Sequence, residues 1–197
     1  MNVLLFGATG MVGKGVLLEC LDDPAVTRVV SIVRRPSGLT HAKLDEVVLA
    51  DFFDYAPIAS KLAGIDACFF CLGVSSAGMS EADYTRVTHE LTMAAARALH
   101  AHSPSAFFAF VSGAGTDSSA QGRSMWARVK GRTENDIIAL FANAAMFRPG
   151  YIHPMRGVTS STRLYAARIP IRKPFYPLVK ALAPCSVTTS VNIGRAM

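Results

Sequence analysis

The chain reads as short apolar runs alternating with longer amphipathic stretches. VLLFG (3–7), TRVVSIV (27–33), EVVLAD (46–51), IDACFFCLG (65–73), AFFAFVSG (106–113) and AAMFRPG (144–150) are rich in β-branched or aromatic residues and nearly continuous in their apolarity. Helical spacing of apolar positions falls instead near Val12 to Leu21, Glu81 to His100 and Ser124 to Phe141. A half-exposed strand alternates apolar and polar residues, so unbroken runs predict strands with helices on both faces of the sheet. Strand followed by helix, repeated, predicts an α/β fold with a doubly wound parallel sheet. Asp22-Asp23-Pro24 ends the first helix, and Arg34-Arg35-Pro36-Ser37-Gly38 breaks the chain after the second strand. Past Gly150 the periodicity weakens, which predicts a small C-terminal lobe of short helices and loops at 151–197, packed on the 1–150 core as one domain. Thr188 or Thr189 is a candidate N-cap for a last helix that stops at Met197. The tail therefore reads as cut short, and uncovered apolar surface there implies a homo-oligomer.

Composition narrows the picture. With 197 residues, 51% hydrophobic and 17% charged, the chain has one domain's worth of core and is not a disordered protein. Its apolar runs stop well short of the roughly 20 residues of a membrane-spanning helix. The opening MNVLLFG has no basic n-region and no cleavage site, which argues against secretion and for a cytoplasmic location. Four cysteines in that setting read as small apolar residues. The net charge of +6 hides an asymmetry: residues 137–197 carry basic side chains and no acidic one. Such a cationic lobe suits an anionic small-molecule substrate, a phosphate-bearing cofactor, a membrane surface or nucleic acid.

The strongest chemical signal follows the first strand. Gly7-Ala8-Thr9-Gly10-Met11-Val12-Gly13 is a G-x-x-G-x-x-G array opening a helix. A dinucleotide site needs a tight turn (Gly7), a position without a Cβ where backbone approaches a pyrophosphate (Gly10), and close helix packing (Gly13). Free amides at the new helix N-terminus then face the phosphates. After the second strand, where an NAD-specific site offers Asp or Glu to the adenosine ribose, stand Arg34 and Arg35. Guanidinium groups suit a 2'-phosphate, so NADP(H) is favoured over NAD(H). Asp51 after the third strand is placed to accept a hydrogen bond from the adenine amine, and Gly73 after the fourth lets the cofactor pass close to backbone.

GATGMVG, Asp51, CLG at 71–73, FVSGAG with Ser112, the helix carrying Lys130 and RPG at 148–150 together resemble the atypical and extended short-chain dehydrogenase/reductases, the NAD(P)-dependent epimerase/dehydratase superfamily. Within it the chain is most similar to small Tat-interacting-protein-like oxidoreductases and bacterial proteins described as nucleoside-diphosphate-sugar epimerases. The resemblance covers nearly the whole chain. It implies a Rossmann fold, and cofactor contacts at Gly7, Thr9, Gly10, Met11, Val12, Gly13, Arg34, Arg35, Asp51, Phe52, Cys71, Leu72, Gly73, Lys130 and Pro149. It also implies a catalytic set in which Ser orients the substrate oxygen, Tyr passes a proton, and Lys holds the nicotinamide ribose and lowers the Tyr pKa.

Ser112 and Lys130 match that set, but the Tyr position is Trp126. Positions 126 and 130 share a helix face. An indole N–H donates a hydrogen bond yet does not ionise in this pH range, so the usual proton relay is missing. The family's supporting Asn is also replaced, by Thr88. Three readings follow. One is an oxidoreductase or epimerase in which Ser112, a water, Tyr84 or Tyr151 supplies the proton. Another is a non-catalytic NADP(H)-binding regulator or sensor. A third makes PFYPLVKALAP a membrane-surface element, against which stands the ordinary packing of such a helix on a sheet.

Other patterns carry less. Cys68-Phe69-Phe70-Cys71 has redox spacing, but within a strand its two thiols point to opposite faces. His89 and His100 share a helix face without a third ligand nearby, which suits solvated or capping roles better than metal binding. The tail contains no nucleic-acid module, so nucleic-acid binding is not expected.

Overall fold

A computed structural model of the protein describes residues 1–159 and 187–197. The six predicted strands all form: β1 (Asn2–Phe6), β2 (Arg28–Val33), β3 (Leu44–Val48), β4 (Ala67–Phe70), β5 (Phe107–Val111) and β6 (Ala144–Phe147). They make one sheet in the order β3-β2-β1-β4-β5-β6, and every neighbouring pair is parallel. This order reverses direction between β1 and β4, so the crossovers leave a crevice above the carboxyl ends of those two strands.

Helices cover both faces, as the unbroken apolar runs require. Along β1, Leu4 and Phe6 face a core containing Phe70, Phe108, Phe110, Leu99 and Ile137, while Val3 and Leu5 face one containing Phe69, Val16, Leu17 and Ile193. The first core packs against a long helical segment and α4 (Met125–Leu140). That segment comprises α2 (Glu81–Thr85), a π-helical turn (Arg86–Glu90) and α3 (Leu91–His102). The second core packs against α1 (Met11–Asp22). Cys68 is fully buried in the first core and Cys71 packs against the second, so the C-x-x-C pair is split by the sheet. His89 departs from its expected solvated place: it is 6% exposed, and its Nε2 lies 2.7 Å from Asp136 of α4. The π turn places His89 toward α4, a rotation that ideal helical spacing does not anticipate.

The C-terminal lobe, where it is described, holds more than short helices and loops. β7 (Tyr151–His153) pairs in parallel with β8 (Val187–Thr189), and α5 (Ser190–Ala196) follows directly. Thr189 caps α5, its hydroxyl accepting the Asn192 N–H at 3.0 Å. The last helix is not left uncovered. Ser190, Ile193 and Gly194 are buried, and α5 lies so close to α1 that a Cβ on Gly15 would stand 2.9 Å from the Ser190 Cβ. Charge reinforces the contact: Glu19 accepts from Arg156 at 2.8 Å and from Arg195 at 3.1 Å, and Arg156 also pairs with Asp22. The three described cations beyond residue 136, Arg148, Arg156 and Arg195, are therefore all paired with carboxylates of the first 136 residues. The other five cations of the lobe, and the PFYPLVKALAP stretch, lie outside the described residues.

Gly15→Leu is expected to push α5 off α1 and lower unfolding stability by about 1–3 kcal/mol, the usual cost of overpacking a tight contact. Urea denaturation checks this, and a variant as stable as the parent would show that α5 does not dock there.

Candidate active site

The turn after β1 is built from contacts that admit no side chain. Gly7 has φ +81°, and a Cβ on it would stand 2.7–2.8 Å from the backbone of Cys71 and Leu72. A Cβ on Gly13 would fall 2.1 Å from the Gly7 carbonyl oxygen. These two approaches seat α1 directly on the end of β1 and bring the turn against the end of β4. Gly10 caps α1 in extended conformation, no side chain accepts from the first turn, and that turn carries no acidic residue. The helix N-terminus thus presents amides and a positive dipole end to whatever lies over the crevice.

Over that crevice lies a cavity of about 490 Å³. One wall contains Gly10, Met11, Val12, Cys71 and Gly73, and the opposite wall contains Ser112, Trp126, Lys130 and Pro149. Nine of the expected site residues, drawn from both ends of the chain, thus meet in one space. Gly7, Thr9, Gly13, Phe52 and Leu72 do not line it, nor do Arg34, Arg35 and Asp51. Phe52 is a core residue. Arg34 and Arg35 are exposed immediately after β2 and engage no carboxylate among the described residues. Asp51 uses one carboxylate oxygen to accept the Phe53 N–H at 2.9 Å. Val74, Ser75, Ser76 and Ile152 also line the cavity and do not stand out in the sequence, since nothing in their spacing marks them.

Ser112 is 8% exposed at the end of β5, where its N–H donates to the Phe147 carbonyl at 2.7 Å. Its Oγ lies 2.8 Å from Thr116 Oγ1, and Thr116 donates its own proton to the Gly113 carbonyl at 2.8 Å. A hydroxyl has one proton, so Ser112 donates to Thr116 and turns its lone pairs toward the cavity. Sequence gives no sign of Thr116, because the partnership depends on the turn that follows β5.

Trp126 is half-buried and lines the cavity one helical turn from Lys130. The benzo edge of its indole rests on the loop after Ser112: Cβ atoms on Gly113 and Gly115 would be 3.8 and 3.4 Å from it. Lys130 donates to the Val111 carbonyl at 3.3 Å and sits 5.4 Å from the centroid of Phe110. Burial pulls its ammonium pKa down to about 8, against a smaller upward pull from Glu134. The other titratable side chains lining the cavity move the opposite way. Burial pushes the Tyr84 phenol and the Cys71 thiol up, keeping both neutral near pH 7. Tyr151, the other phenol considered as a proton source, is not among the lining residues.

A family model described as NAD(P)H-binding matches residues 7–149, which span the glycine turn, strands β2 to β6 and Lys130. A protein of Emericella nidulans named "Protein fmp52, mitochondrial" is 33% identical over 163 residues, covering 79% of this chain and 68% of its own length. Among solved structures, UDP-N-acetylglucosamine 4-epimerase from Methanobrevibacter ruminantium aligns with a TM-score of 0.71 at 17% identity, over 99% of this chain and 71% of that one. MoeE5 in complex with UDP-glucose and NAD aligns at 0.62 and 20% identity, over 77% of this chain, and the chain spans only 55% of its length. These two likenesses concern the fold. Further fungal relatives share the mitochondrial name, which overturns the expectation of a cytoplasmic location. The missing n-region and cleavage site spoke only to the secretory route, because mitochondrial targeting uses a different, amphipathic and Arg-rich, signal. With the glycine turn, the 3-2-1-4-5-6 sheet and the Ser112–Lys130 wall in one molecule, this chain belongs to the NAD(P)H-binding family whose model it matches.

Proposed function

We propose that the protein binds NADP(H) in preference to NAD(H) and works as an oxidoreductase or epimerase on a small carbonyl compound or sugar. The observation that carries this reading is the single cavity in which the open end of α1 faces Ser112 and Lys130. The residues fit the cofactor: Gly7, Gly10 and Gly13 clear a backbone cradle, and α1 offers amides to the pyrophosphate. Arg34 and Arg35, uncompensated among the described residues, supply the 2'-phosphate partners, and Lys130 the contact to the nicotinamide ribose. When bound, the dinucleotide supplies or accepts a hydride.

This chain's own residues then determine what happens at the substrate oxygen. Ser112 faces the cavity as an acceptor, so it meets a substrate hydroxyl directly. To serve a carbonyl, its proton must swing from Thr116 toward the substrate, with Thr116 turning its own proton from Gly113 to Ser112. Trp126 can hold an oxygen through its indole N–H but cannot release that proton. Trp126 is also the observation favouring the second reading, a regulatory protein that senses NADP(H) occupancy without turnover.

The protein has one tryptophan, and it lines the cavity, so quenching of Trp126 emission reports on this site alone. NADPH is expected to quench at lower concentration than NADH, and replacing both Arg34 and Arg35 by Ala is expected to erase the difference. Equal affinities in the parent protein would sink the NADP(H) preference. Gly13→Ala, which drives a Cβ into the Gly7 carbonyl, is expected to abolish binding of both nucleotides.

Consumption of NADPH over a panel of carbonyl compounds and nucleotide sugars separates the two readings, since only the first requires it. Trp126→Tyr is expected to leave the dinucleotide affinity nearly unchanged, as measured by calorimetry, and to raise carbonyl reduction about a hundredfold or more through restored acid catalysis. A rate that does not rise would show that position 126 is not where the proton is missing.

A further inference from the structure

The ion pair that a buried carboxylate makes with Arg148, next to the cavity wall, has no role in the reading above. Glu134 of α4 is 1% exposed, and both its oxygens accept from Arg148, at 3.0 and 3.1 Å from Nε, with a further contact from Nη2. Arg148 stands between β6 and the cavity-lining Pro149, and its Nη2 also donates to Ser118 at 2.6 Å. The pair therefore ties together α4, the segment after β6 and the loop that follows Ser112. Glu134 is one helical turn from Lys130 on the same helix, the spacing at which side-chain charges interact. Gly131, between them, lets the loop backbone lie directly on α4, because a Cβ there would fall 1.7 Å from the Asp117 carbonyl oxygen.

We propose that the Arg148–Glu134 pair is a positioning device for Lys130, setting the charge the ammonium carries at the cavity wall and with it the pH range over which the dinucleotide is held. For its effect on binding, this inference rests on the cofactor reading above. The physical argument is one of compensation. Lys130 is desolvated, and Glu134 is its attractive charge, but Arg148 engages both oxygens of that carboxylate and screens it from the ammonium. Among the described residues no other charge faces Lys130: β5 contributes the uncharged Val111 carbonyl and the Phe110 ring, and the Tyr84 and Cys71 side chains are held neutral. The balance leaves Lys130 titrating at about 8, so it is charged below that pH and loses its charge above it. Removing Glu134's charge must lower this midpoint. Removing Arg148 must raise it, because the carboxylate then acts on Lys130 unscreened.

The test is amine labelling of Lys130 as a function of pH, read by peptide mass spectrometry, together with NADPH binding followed through Trp126 emission. In the parent protein the labelling midpoint is expected at about 8, with NADPH affinity falling above it. Glu134→Gln is expected to move both midpoints down by about one pH unit, and Arg148→Met to move both up by about as much. Arg148→Lys, which keeps a cation on Glu134, is expected to stay close to the parent. A merely structural pair would lower melting temperature in these variants and leave the labelling midpoint in place, and that result overturns the proposal. If Arg148→Met does not fold, the direction of the Glu134→Gln shift decides alone: downward supports the device, no shift refutes it. The two readings fail separately. Labelling midpoints that shift in a protein that never binds NADPH would sink the cofactor assignment and keep the pair's role in setting the charge. Intact binding with unmoved midpoints would do the reverse.

Discussion

Everything above the sheet depends on how closely α1 approaches the end of β1. With the Gly7 carbonyl where a Cβ of Gly13 would be, the helix starts flush with the sheet. Its first amides therefore face the crevice where the strand order reverses. Gly7 itself lies so near the Cys71 backbone that the ends of β1 and β4 form one continuous floor. Any side chain in these two places would lift the helix or split the floor of the cavity. The tight turn is thus a packing constraint first, and the open helix end over the crevice is its consequence.

The opposite wall is organised by α4, and here too a glycine decides the geometry. Gly131 lets the loop after Ser112 lie on the helix, which brings Ser118 to Arg148 and seats Trp126 under Gly113 and Gly115. Ser112, Trp126 and Lys130 are consequently joined to the buried Glu134 through this loop and α4. An indole fits this arrangement because two glycines leave room for its benzo edge. What the exchange of phenol for indole removes is an ionisable proton, while a hydrogen-bond donor and a broad apolar surface remain.

The charge asymmetry along the chain also resolves into structure. The described arginines beyond residue 136 reach back to acids of α1 and α4, so these cations of the C-terminal lobe belong to ion pairs with the core and do not form a free positive surface. Most of these pairs are partly exposed and contribute little each. Glu134 is the exception, since a carboxylate buried to that degree without Arg148 would carry the full cost of desolvation.

By itself the sequence determined the architecture: continuous apolar runs demand two covered faces, and the strand–helix rhythm demands parallel crossovers, so all six main strands and the three principal helices were legible within a few residues. The glycine array was legible for the same reason, because it depends on residue type at a fixed local spacing, whereas Ser112, Trp126 and Lys130 stood out only through the family resemblance, and the structure brings them to one cavity. Only the tertiary structure decided what depends on contacts between distant segments. Thr116 turning the Ser112 hydroxyl, Arg148 closing on Glu134, His89 meeting Asp136 through a π turn, and α5 docking on Gly15 of α1 leave no periodic trace. Periodicity records which face of an element is buried. It carries no record of which buried group meets which, and in this protein those meetings set the hydroxyl direction and the lysine charge at the site.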